Sequence, residues 1–88
     1  LAAHANAMTA RLANGLAAAG ADIPIVPQAN EIFPRLPVAA IERLRKGGAR
    51  FHPWPMAGDS ADARTIRLVT SFQTKEEDVD RFLALLRG

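Results

Sequence analysis

Arg67 lies in the middle of the alternating run Thr65-Ile66-Arg67-Leu68-Val69-Thr70-Ser71. An arginine at the centre of a strand must either reach water on an open face or meet an anion, because an unpaired buried charge is costly. Its planar fork of donors matches a carboxylate or phosphate bidentately. Spacing alone leaves both readings open, a solvated strand arginine or an anion clamp. Thr65 and Ser71 fall on the same face and add weaker donors. Arg67 is the one substrate-binding candidate in the chain. His4 and His52 have no partners at metal-ligand spacing. His4 reads as a surface residue of a helix, and His52 as a half-buried structural histidine beside Pro53 and Trp54, with a pocket-lining role as the alternative. The carboxylates Glu76, Glu77, Asp78 and Asp80 cluster in the first turns of a helix. There they favour the positive end of the helix dipole and face water, so they do not specify a metal. The chain has no cysteine and no G-x-x-x-x-G-K-[ST] phosphate loop. These residues offer no metal site, and no catalytic or cofactor-binding residue is assigned in the chain.

Composition narrows the class of protein. The 88 residues carry a formal net charge of +2, and 49% are hydrophobic. That is the balance of a small globular domain and not of a disordered chain. The basic residues are mostly arginine and are scattered, apart from Arg43-Leu44-Arg45-Lys46 at the end of a helix, where cations suit the dipole. Nothing here forms a nucleic-acid patch, and no apolar run approaches the length of a membrane span. The absence of cysteine and of a secretory signal agrees with a cytoplasmic location. The first residue is Leu1 rather than methionine, so we expect residues 1–88 to be one domain of a longer chain.

The elements that must position Arg67 follow from periodicity. Leu1, Ala5, Met8, Leu12, Leu16 and Ala19 recur on one helical face, and Gly20 stops that helix. Ala2, Ala13 and Ala17 leave room for a closely packed neighbour. Asp22–Pro27 is expected as an edge strand limited by Pro24 and Pro27. Asn30–Leu36 is expected as a second strand, with Ile32 and Leu36 on one face, Phe33 on the other, and Pro34 implying an edge. Pro37 suits the first turn of a helix carrying Val38, Ile41 and Leu44, which ends at Gly47-Gly48. Ala49–Trp54 is expected as a third strand with Phe51 inward, and Pro55–Ala63 as a loop. Arg64–Phe72 is the clearest strand, with Ile66, Leu68, Thr70 and Phe72 on one face. Thr74 and Glu77 have the spacing of a capping box for a last helix, whose stripe is Val79, Phe82, Leu83 and Leu86. The order predicts an α+β fold, a short sheet with helices packed on one face and the other face left to solvent or a partner.

The run Ile66-Arg67-Leu68-Val69-Thr70-Ser71-Phe72, followed by Thr74-Lys75-Glu76-Glu77-Asp78-Val79-Asp80-Arg81-Phe82, resembles the C-terminal end of the low-specificity L-threonine aldolases. These are pyridoxal-phosphate enzymes of the aspartate-aminotransferase fold (fold type I). The resemblance extends over essentially the whole chain. His4-Ala5-Asn6-Ala7-Met8 with Arg11-Leu12 is similar to the family's helix entering the small domain. Ala29-Asn30-Glu31-Ile32-Phe33 with Leu36-Pro37 is similar to its strand and following helix, and Gly47-Gly48-Ala49-Arg50-Phe51 with Trp54 to its next turn and strand. Pro34 departs from the aliphatic residue more usual there.

The resemblance implies a role for Arg67 as the residue that binds the substrate's α-carboxylate. Pinning that carboxylate fixes rotation about Cα, so that the Cα–Cβ bond is the one aligned for cleavage. The implied parent is a lyase releasing glycine and an aldehyde from β-hydroxy-α-amino acids. Its pyridoxal phosphate would be attached to a lysine outside this chain, since Lys46 and Lys75 both sit at helix ends. Its large cofactor-binding domain would be the covalent partner, and the parent would be a homodimer or homotetramer. The fragment alone is expected to be inactive. Two alternatives remain open: another reaction on the same fold, such as an aminotransferase, and a self-contained module that binds a small ligand or a partner.

Overall fold

The computed structural model describes residues 2–24, 30–71 and 73–88. Three helices and four short strands alternate as α1 (Ala2–Ala18), β1 (Glu31–Ile32), β2 (Arg35–Pro37), α2 (Val38–Lys46), β3 (His52–Pro53), β4 (Ala63–Val69) and α3 (Glu76–Arg87). The sheet is antiparallel throughout and is built on β4, with which each of the other three strands pairs. This is the α+β arrangement expected from the sequence.

The stretch expected as one strand over Asn30–Leu36 is divided into β1 and β2, yet both keep a single register against β4. Ile32 faces Leu68, and Leu36 faces Arg64. Between them the Pro34 carbonyl accepts the Ile66 N–H at 3.0 Å. The interruption is chemical rather than geometric: proline has no N–H to return to the ladder. On the far side of β4, His52 pairs with Arg67 and Pro53 with Ile66. Only these two residues of the expected Ala49–Trp54 strand join the ladder regularly, and Trp54 adds one bond to the Thr65 carbonyl at 3.0 Å. The Asp22–Pro27 strand reduces, within the described residues, to a bridge between Asp22 and Arg35 at the sheet's edge. Ile25 and Val26 lie outside the described residues, as do Leu1 and Phe72.

One face of the sheet holds the core. Ile32, Leu36, Ile66 and Leu68 pack against Met8, Leu12 and Leu16 of α1, Ile41 and Leu44 of α2, and Val79, Leu83 and Leu86 of α3. Phe51 is buried in the same cluster, as expected, whereas Val38 and Phe82 are only partly covered. The alternation along β4 holds at Ile66, Leu68 and Thr70, all buried. Thr70 is satisfied there by the Thr9 hydroxyl at 2.8 Å and the Ala5 carbonyl at 3.0 Å.

The helix ends follow local chemistry. After α1, Gly20 takes φ +81° and the Ala21 N–H reaches back to the Leu16 carbonyl at 3.0 Å. After α2, Gly48 does the same at φ +92°, and the Ala49 N–H bonds to the Leu44 carbonyl. Both are glycine-terminated caps of the Schellman kind. Pro37 sits one residue earlier than expected, at the N-cap of α2, because its N-terminal side still belongs to β2. The capping box of α3 is also displaced by one residue. Lys75 is the N-cap, and its N–H donates to the Asp78 carboxylate at 3.0 Å. Thr74 instead accepts the Ser71 N–H at 2.9 Å, closing the turn out of β4. That turn uses the Thr74 hydroxyl before the helix begins, so Glu77 has no cap to close.

Of the small residues expected to admit a neighbour, only Ala13 packs against the core, and the close approach of α1 to α3 falls instead at Gly15. A Cβ there would lie 2.2 Å from Leu83 Cδ1. Ala2 and Ala17 stay exposed. Leu83 is buried, so its side chain has little room to yield. Gly15→Val is expected to destabilise the chain by roughly 1–3 kcal/mol through overpacking. Leu44→Ala should cost about 2–5 kcal/mol through the cavity it leaves. Urea unfolding of both variants checks these values.

Candidate functional site

The sheet face turned away from the helices carries Arg35, Thr65, Arg67 and Val69, with His52 paired across to Arg67. Phe33 lies on this side too, as expected, and is buried outside the main core. Its cover is Trp54, whose ring centroid lies 5.1 Å from that of Phe33 at a 50° tilt. Trp54 and Val69 are the large apolar side chains left open, at 43% and 50% exposure.

At one end of this face the chain is tied down by ion pairs. Asp59, from the loop before β4, accepts the Thr65 hydroxyl at 2.7 Å, the Thr65 N–H at 3.1 Å and the Met56 N–H at 3.2 Å. It also accepts Arg35 Nε at 2.9 Å. Arg35 also donates from Nη1 to Asp22 at 2.9 Å and from Nη2 to the Ala57 carbonyl at 2.8 Å. The Thr65 hydroxyl is the largest influence holding the Asp59 carboxyl well below its usual range; the Thr65 N–H, Arg35 and Met56 add to it against partial desolvation. Thr65 is therefore not available as a second ligand donor beside Arg67. It is buried, with its hydroxyl committed to Asp59. Ser71 is exposed in the turn after β4, where its hydroxyl accepts the Gln73 N–H at 3.1 Å.

Arg67 is free of that knot. It projects from the centre of β4, and Nη2 donates to Glu31 at 2.9 Å, with about a third of each side chain exposed. Of its five N–H donors, this ion pair uses one. Arg67 lines a depression of about 440 Å³ together with Arg45, Arg50, His52 and Val69. His52 is exposed rather than half-buried, because β3 is an edge strand and its residues stand clear of the core. Arg45 is held over the Phe51 ring, 4.4 Å from its centroid. Arg45 and Arg50 were not legible from sequence as neighbours of Arg67. The pairing of His52 with Arg67 brings them there, and no local pattern announces a pairing register.

A second hollow of about 450 Å³ lies between α3 and the Gly47–Arg50 turn. Two of its polar groups are already engaged. Arg81 donates to the Gly47 carbonyl at 2.9 Å, and Asp78 caps α3. The remaining acidic residues of α3 are solvent-facing, and Asp80 pairs with Arg11 at 2.9 Å. His4 donates from Nε2 to the Thr74 carbonyl, so this surface histidine joins α1 to the turn before α3. The basic end of α2 is likewise structural in part, since Arg43 donates to the Leu85 and Leu86 carbonyls near the end of α3. Among the described residues no group of three or more His, Asp or Glu side chains is placed to hold a metal ion, and no helix is long and apolar enough to cross a membrane.

The comparisons with known proteins bear on this geometry. No family model matches the sequence, and no curated protein matches it significantly. Solved structures do. A threonine aldolase from Leishmania major superposes with a TM-score of 0.85 at 30% identity, over 97% of this chain. The fold is that of a small part of a fold-type-I pyridoxal-phosphate enzyme. A serine palmitoyltransferase from Sphingomonas wittichii matches with a TM-score of 0.77 over 97% of the chain; at 21% identity it speaks for the fold alone. The chain spans about a quarter of the length of each, 24% and 23%.

The two lysines, Lys46 and Lys75, are exposed at helix ends, and neither lines the depression. What this segment supplies at the depression is positive charge on a sheet face, and not a covalent anchor.

The Asp59 knot has a pH signature. A carboxyl whose folded pKa is depressed contributes stability above its unfolded pKa of about 3.9 and loses it as pH falls toward the folded value. Thermal stability is expected to drop as pH falls below about 4, through this group among others. Asp59→Asn should lower the melting temperature at neutral pH and flatten that acid limb. An acid limb of unchanged slope in the variant would show that the knot does not govern it.

Proposed function

We propose that this chain is the C-terminal small domain of a pyridoxal-phosphate-dependent lyase. The parent enzyme would cleave the Cα–Cβ bond of β-hydroxy-α-amino acids to glycine and an aldehyde. Arg67 would hold the α-carboxylate of the substrate. The observation that carries this reading is the 30% identity and 0.85 TM-score to a threonine aldolase over nearly the whole chain. Arg67, at the centre of the sheet's open face with four of its donors uncommitted to Glu31, supports the role assigned to it.

Pyridoxal phosphate supplies an electron sink for the bond that breaks, and in this reading it is bound by the rest of the parent. This chain's part is orientation. A guanidinium on a rigid central strand grips a carboxylate with directional, charge-assisted bonds. Fixing the carboxylate fixes the rotation of Cα, so one bond is presented for cleavage rather than its neighbours. The parent is read as a cytoplasmic homodimer or homotetramer, on the family resemblance. The fold, which a serine palmitoyltransferase shares, leaves a second reading: another amino-acid reaction on the same fold, such as amino transfer.

Assay of the parent with L-threonine separates the two. Production of acetaldehyde and glycine supports the lyase; amino transfer without retro-aldol cleavage overturns it. In the parent, Arg67→Ala is expected to lower kcat/KM by about 10- to 100-fold, the worth of a lost charged hydrogen bond, with cofactor absorbance intact. Unchanged kinetics would remove Arg67 from the site. The purified 88-residue chain should show no retro-aldol turnover, and measurable aldehyde release from it would contradict the assignment of catalysis to the rest of the parent.

A further inference from the structure

We propose that the depression at Arg67 selects those β-hydroxy-α-amino acids that bear a second anionic group, a carboxylate or a phosphoryl, on the side chain, L-aspartate and O-phospho-L-serine serving below as uncleaved probes of that anion. The inference rests on the reading of Arg67 as the α-carboxylate clamp and adds a substrate class to it. Its basis is a charge imbalance. Arg45, Arg50 and Arg67 line one concavity, and no acidic residue lines it with them. Among the ion pairs of the described residues, Glu31 engages Arg67, while Arg45 and Arg50 have no acidic partner. Three guanidiniums against one carboxylate leave two positive charges, so a single α-carboxylate pairs with only one of them.

The setting favours a small ligand over a protein surface. The hollow's volume of about 440 Å³ is that of a small-molecule cleft. Arg45 is already ordered by its seat 4.4 Å above the Phe51 ring. A cation held in place by an aromatic face loses less freedom on binding than a free one. With the α-carboxylate on Arg67, the second anion falls to Arg50 and Arg45, and His52 beside them offers a further ring N–H. Elsewhere on this face Arg35 has three of its five N–H donors engaged, by Asp59, Asp22 and the Ala57 carbonyl, and its charge is matched by two carboxylates.

The test is titration of the isotopically labelled 88-residue chain with L-aspartate, O-phospho-L-serine and L-threonine, read by amide chemical shifts at low salt. The three ligands share their α-groups, so their difference isolates the side-chain anion. L-Aspartate or O-phospho-L-serine should bind up to about fivefold tighter than L-threonine, as one added exposed ion pair implies. The order of those two distinguishes a carboxylate from a phosphoryl preference. Arg50→Ala alters an exposed side chain and should abolish the difference while leaving L-threonine binding in place; Arg45→Ala should reduce it. Equal affinities for all three ligands, or a difference that survives both substitutions, would overturn the proposal while leaving the carboxylate clamp standing. The clamp itself fails separately, if Arg67→Ala leaves L-threonine binding unchanged.

Discussion

Each of the other strands of the sheet is paired with one strand, the seven-residue Ala63–Val69. The strands paired with it have two or three residues each and cannot stand without it. That dependence sets the division of labour along β4. Ile66 and Leu68 are committed to the core shared with all three helices, and their burial anchors the strand. The residues between them are turned to the opposite face by the pleat. Arg67 is thus rigid because its neighbours are buried, and accessible because it is not.

The open face then separates two arginines by the company they keep. Arg35 and Arg67 lie on adjacent strands, on the same side of the sheet. Arg35 meets Asp59 and Asp22 and becomes a strut between the edge of the sheet and the loop before β4. Its side chain keeps 17% of its exposure, against 32% for Arg67. Gly58 makes room for the strut, since a Cβ there would lie 2.9 Å from Arg35 Nη2, and its φ of +94° suits glycine. Arg67 meets a single carboxylate and three other cationic or ring N–H groups, which leaves it able to take an anion from solution. The same residue type is locked into the scaffold in one place and keeps open donors in the other, and the number of acids within reach decides which.

Several elements were legible because their signals are local. The alternation of β4, the glycine stops of α1 and α2 and the apolar stripe of α3 depend on neighbours within a few residues. Where the structure departs from those expectations, a competing local bond is the cause. Thr74 spends its hydroxyl on the Ser71 N–H, and the cap of α3 moves to Lys75 and Asp78. Pro34 breaks the assignment of one strand into two without breaking its register. Thr65 was legible as a residue on Arg67's face, but not as a buried one. Its burial depends on Asp59 returning from the loop, and no periodicity encodes where a loop carboxylate will land.

The sequence by itself determined the α+β class, the face of β4 that is buried, and the position of Arg67 on the other face, because the pleat and the helical period turn spacing directly into direction. It also held the resemblance to threonine aldolases, which the superposed structure meets at the level of fold. Only the tertiary structure decided what surrounds Arg67. The pairing of His52 with Arg67 brings Arg45 and Arg50 to one hollow, and the Asp59 knot takes Arg35 and Thr65 out of it. Those neighbours come from segments that meet only when the sheet closes, and the electrostatics of a site belong to the distances closure sets.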